Sequence, residues 1–92
     1  MSFTKEDATA AARKDLAQRL NVDSSSIDVR SVTETEFPDM SLGAATAGEM
    51  SAQMITSGWK IMLGVDGKAY EYRADKYHLR LVDFDGKNYV VK

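Results

Sequence analysis

The sequence predicts an α+β fold in which one N-terminal helix packs on a four- to five-stranded antiparallel sheet, built as a meander of hairpins. Three observations predict it: a capped, alanine-rich segment near the N-terminus, a hairpin pattern from Gly58 to Arg73, and a second hairpin with the same turn residues from Tyr77 to Val91. The 92 residues, 43% of them hydrophobic, make a single domain, 1–92. A chain this short buries only about 60–65% of the surface its unfolded form exposes, so the core has to be economical.

The helix is expected over about 4–20. Thr4 and Asp7 have the spacing of a capping box, and Phe3 and Ala8 stand where a hydrophobic staple would close over it. Ala8, Ala12, Leu16 and Leu20 then recur every four residues with Ala11 beside them, while Arg13, Lys14, Gln18 and Arg19 mostly take the remaining surface. That makes a narrow stripe of small side chains able to approach a sheet closely. Asn21 can adopt the left-handed cap, with Val22 folding back as its apolar contact.

After the polar turn at Asp23 and Ser24 to Ser26, a β-branched run from Ile27 to Phe37 predicts the first strand, 27–37, ending at Pro38. Val32 breaks the alternation, which predicts a β-bulge near Arg30 to Val32. Glu34, Glu36 and Asp39 form a small acidic edge around Phe37, the two glutamates pointing the opposite way from the ring. Such a face is usually solvated and discourages edge-to-edge aggregation. From Pro38 to Ser57 the pattern weakens into a loop, with a short strand expected over 50–55. A connection this long in a small domain is uncommon unless it is functional or disordered, which makes it the place to look for a binding surface.

In the hairpin that follows, strands are expected over 59–65 and 68–73. Asp66-Gly67 supplies the two positive-φ positions of a type I′ turn, which sets Leu63 against Tyr70 and Ile61 against Tyr72. All the large apolar groups fall on one face, so register and core face are specified together. The segment Phe84-Asp85-Gly86-Lys87 repeats the turn solution and predicts strands over 78–84 and 87–91. Its alternation is less clean, as for a hairpin covered on both sides or carrying a bulge.

Twelve basic and fourteen acidic side chains give a net charge of -2, with no basic excess to release counterions from a phosphate backbone, so no nucleic-acid partner is expected. The absence of cysteine removes disulfides, thiolate metal sites and thiol nucleophiles. No run approaches the roughly 18 apolar residues of a membrane span. The N-terminal residues show no signal peptide, so the default expectation is cytoplasmic.

Catalytic constellations are equally lacking. His78 is the only histidine, and a triad or zinc site would need further groups in defined geometry, so a strand histidine is the expected role. Asp83-Phe84-Asp85-Gly86 alternates acids before a glycine but lacks the later donors of a calcium loop, leaving turn chemistry as its explanation. Trp59, Tyr70, Tyr72 and Tyr89 are expected to pack, although aromatics of this kind also form ligand platforms. Met50, Met54 and Met62 are adaptable groups suited to an irregular core or a peptide groove. No catalytic residue, cofactor or metal site is therefore expected.

The segments Lys14-Asp15-Leu16-Ala17, Asn21-Val22-Asp23, Asp39-Met40-Ser41-Leu42-Gly43, Gln53, Gly58-Trp59-Lys60-Ile61 and Tyr70-Glu71-Tyr72 stand in a recognisable order over roughly residues 10–73. In that stretch the chain resembles a family of small bacterial cell-envelope domains, often lipoproteins, with a Ser-Leu-Gly-Cys-Pro loop. The pattern is also similar to PepSY-like and cystatin-like domains. The resemblance implies an exported protein with a protease-inhibiting or peptide-binding role. This chain departs from the family where Ala44 replaces the cysteine, Ala45 and Ala47 replace prolines, and Arg73 replaces a histidine, which removes any disulfide-pinned or histidine-dependent role.

The resulting expectation is a non-enzymatic interaction module for a protein or peptide, presenting the 38–53 loop with Asp39, Ser41, Leu42, Glu49 and Met50 exposed. The alternative is a structural or regulatory module without a ligand site, monomeric or a weak homodimer paired through a sheet edge.

Overall fold

The computed structural model describes residues 3–92; Met1 and Ser2 lie outside the described residues. Helix α1 (Lys5–Leu20) is followed by a 3-10 turn (Ser24–Ser26) and five strands: β1 (Asp28–Phe37), β2 (Thr56–Val65), β3 (Lys68–Ala74), β4 (Leu79–Phe84) and β5 (Lys87–Val90). The strands form one antiparallel sheet in chain order, β1-β2-β3-β4-β5, an α+β meander. The short strand expected over 50–55 is not formed, and β2 begins instead at Thr56. Among the described residues they have no neighbouring strand to pair with; the backbone bond that ties them down runs from Met40 N–H to the Ala52 carbonyl.

The local chemistry of the ends follows from the residues there. Thr4 Oγ1 accepts from Asp7 N–H and Asp7 accepts from Thr4 N–H, closing the capping box. Asn21 takes φ 54, ψ 50 at the far end, and Val22 N–H donates to the Ala17 carbonyl. Both hairpin turns are type I′, with φ 51 and 78 at Asp66 and Gly67 and φ 53 and 80 at Asp85 and Gly86. At Gly58 the requirement is space, because a Cβ there would strike the Ala74 carbonyl on β3.

Register assigns the faces. Ile61 lies opposite Tyr72, which lies opposite Leu81, and Leu63 lies opposite Tyr70. These groups share a core with Ala8, Ala12 and Leu16, the buried stripe of α1. Trp59, Tyr70 and Tyr89 pack at its margin half-buried. The register slips between Val29 and Ser31, a bulge that returns Val32 to the helix side opposite Ile61 and leaves Phe37 on the other face. A second irregularity falls between Leu81 and Phe84, where Asp83 has φ 53.

A polar contact ties helix to sheet through the core. Tyr72 Oη donates to Asp15 Oδ2 at 2.7 Å, and the same carboxylate oxygen receives Arg19 Nε at 2.7 Å. Arg19 in turn lies 4.7 Å from the Tyr89 ring centroid. Burial and then the bond to Asp15 hold the Tyr72 hydroxyl in its neutral form well above the ordinary tyrosine range. Tyr72→Phe, which keeps the ring and removes the donor, should cost about 1–2 kcal/mol in urea unfolding, because Asp15 retains Arg19 as a partner.

Candidate functional site

The sheet face turned away from α1 carries arginines on neighbouring strands, Arg73 on β3 directly opposite Arg80 on β4. The connection between β1 and β2 folds over both. Asp39 Oδ1 opens it by accepting from Ser41 N–H at 3.0 Å, Ser41 Oγ at 2.7 Å and Gly43 N–H at 3.0 Å, a tight turn that carries Leu42 and Gly43 into left-handed backbone at φ 63 and 65. The Ser41 hydroxyl, then the Gly43 amide, hold the Asp39 carboxyl below its usual range. The Leu42 carbonyl accepts from Arg73 Nη1 at 2.9 Å, and Arg73 lies 5.5 Å from the Phe37 ring centroid.

Arg80 makes the second clamp. The residue is only 5% exposed, and its guanidinium donates to the Ala44 carbonyl and meets both carboxylate oxygens of Glu49, with Nη2 to Oε2 at 2.6 Å. Glu49 Oε1 also accepts from Thr46 N–H at 2.9 Å. At the outer end, Asn88 Nδ2 donates to the Ala45 carbonyl at 3.0 Å. The Arg80 hydrogen bonds, then the Thr46 amide, lower the Glu49 carboxyl to about 2. A depressed folded-state value stabilises the fold fully above the ordinary range near 4.5, and this contribution fades as pH falls toward about 2. The protection of residues 44–49 against hydrogen exchange, taken relative to the intrinsic rate at each pH, should accordingly fall between those pH values more than that of β2, and Glu49→Gln should abolish the pH-dependent part of the difference.

The expected exposure of the loop therefore holds only in part. Ser41 and Leu42 are fully buried, because the Asp39 turn presses them onto the sheet, and Asp39 and Glu49 are half-buried in the contacts just described. Ser41 is brought beside Asp39 and reaches Ser51 Oγ at 3.1 Å. Met50 alone of the five projects freely, 96% exposed. Met54 at 61% and Ile55 at 73% exposed follow it, and Met40 at 41% precedes it. Residues 39–49 are thus a cover for the second face, and 50–55 form an apolar rim.

Sequence reasoning missed Arg73 and Arg80 as the anchors. The available signal was their alternation with Tyr72 and with Leu79 and Leu81, which puts them on the face away from the helix, together with a loop too poor in large apolar groups to cover that face by packing alone. His78 lies in the turn between β3 and β4, where Asp75 Oδ1 accepts from the amides of Tyr77 and His78 and stands 3.0 Å from His78 Nδ1. Among the described residues no group of three or more His, Cys, Asp or Glu side chains stands together, and no helix is long and apolar enough to cross a membrane.

No curated protein and no solved structure matches the chain. A family model does match over residues 9–82, from within α1 into β4, and that span includes both arginine anchors and the whole of the cover they hold. On that match the chain belongs to the family described as Domain of unknown function (DUF8738).

Proposed function

We propose that the domain is a non-enzymatic interaction module that engages a protein or peptide through the 50–55 rim of the β1–β2 connection. One observation carries the reading: Met40, Met50, Met54 and Ile55 stay exposed on a segment whose root is clamped by Arg73 and Arg80. Exposed methionines beside a fixed base make an adaptable apolar contact surface. The likeness to PepSY-like and cystatin-like envelope domains supports the same reading, since it implies peptide binding or protease inhibition.

A benzophenone side chain placed at Met50 should give covalent adducts with a heterologous protein in the native cell, and the same group at Lys14 on the outer side of α1 should not. Met54→Ser combined with Ile55→Ser should suppress the adducts without moving the melting temperature. Adducts between copies of this chain alone would favour the alternative, self-association through a sheet edge. Equal labelling from both positions would sink the rim as a binding surface.

A further inference from the structure

Strand β1 lies at the margin of the sheet and pairs only with β2, so along its ten residues the outward backbone groups have no neighbouring strand among the described residues. The bulge between Val29 and Ser31 interrupts its first part, which leaves a regular edge from Ser31 to Phe37. That length suits a typical strand of about five or six residues. Opposite Trp59 and Ser57, Glu34 and Glu36 share the helix-side face of this edge, both exposed. Neither carboxylate lies within ion-pair distance of a cation among the described residues. Beside them opens a cleft of about 500 Å³ lined by Glu34, Glu36, Ser57, Trp59 and Lys76.

We infer that the edge Ser31–Phe37 accepts an extended basic peptide by strand addition, with alternate Lys or Arg side chains of the peptide set against Glu34 and Glu36. Backbone pairing supplies the affinity in such a complex and the alternate side chains supply the choice of partner. A strand laid on β1 places its side chains about 4.5–5.5 Å, between Cβ atoms, from those directly opposite, close enough for a carboxylate and a cation to pair. The nearby Trp59 ring adds a surface on which a long basic side chain can lie. A second copy of this chain is the wrong occupant. Antiparallel pairing of two such edges would bring the glutamates of both copies onto one face, and like charges opposed across strands are destabilising. The site is separate from the methionine rim and does not depend on it.

The test uses the intact chain and a fluorescent peptide of alternating Thr and Lys, about seven residues long to match the edge. The peptide should bind and change the emission of Trp59, the single tryptophan. Glu34→Lys with Glu36→Lys should weaken it by at least about tenfold and allow a Thr/Glu peptide to bind instead. Both positions are exposed, and an unchanged melting temperature confirms folding. Two further peptides, N-methylated on alternate amides in the two possible phases, separate strand addition from simple charge attraction: one phase should bind and the other should not. Undetectable binding, equal affinity for wild type and the reversed variant, or indifference to the methylation phase would each overturn the inference. So would a homodimer, seen by sedimentation, that the Thr/Lys peptide fails to dissociate.

Discussion

Leu16→Ala should cost about 2–5 kcal/mol in urea unfolding followed by Trp59 fluorescence, the largest loss expected from any single truncation on α1. The helix meets the sheet through Ala8, Ala12 and Leu16, all fully buried, and of these only Leu16 has a side chain large enough to leave a cavity. Alanines on either side cannot swing in to fill the gap, and the sheet beneath is fixed by its own register. A domain of this size has a total stability of roughly 5–15 kcal/mol, so one methyl-rich side chain accounts for a substantial part of it. Gln18→Ala, on the exposed face of the same helix, should stay within about 0.5 kcal/mol. Equal effects at the two positions would mean that the stripe does not dock as described.

Glu49→Ala should have the next largest effect, about 3 kcal/mol, because it strands a cation rather than removing a contact. Arg80 is buried under the cover, its Nε has no partner among the described residues, and without Glu49 the bond left to it there is to the Ala44 carbonyl. The decisive comparison is the double variant Glu49→Leu with Arg80→Met, which removes both charges and keeps apolar volume. It should recover most of the stability lost by Glu49→Ala, since an uncompensated buried charge is worse than none. Recovery should be accompanied by slow hydrogen exchange in residues 39–49. If Glu49→Ala instead proves neutral, the clamp is a surface pair and the cover is held by the Asp39 turn and Arg73.

The helix and both hairpins were legible because local and long-range requirements agree in them. Asp66-Gly67 asks for a two-residue turn, and that turn places Ile61 and Leu63 against Tyr72 and Tyr70, the pairing that hydrophobic alternation also demands. Thr4, Asp7 and Asn21 mark the helix by groups that act within a few residues of themselves. The bulge in β1 was readable from the misplaced Val32 for the same reason. The connection was not, because what organises it lies far off in the chain: Leu42 is held by Arg73, and Ala44 and Glu49 by Arg80. No local pattern could show that Ser41 and Leu42 are pressed inward while Met50 is left outside. A length of chain that looked free to project was half committed to covering the second face.

Because each strand lies beside its neighbour in the chain, the sheet has only one closure that is costly in entropy, the joining of β1 to β2 across residues 38–55. The two tight hairpins need no such search and can form on the microsecond scale. Nucleation should therefore centre on β2 to β5, with β1 zipping on late. Substitutions along β1 should then raise the unfolding rate far more than they slow refolding, leaving that strand the first to peel away under load.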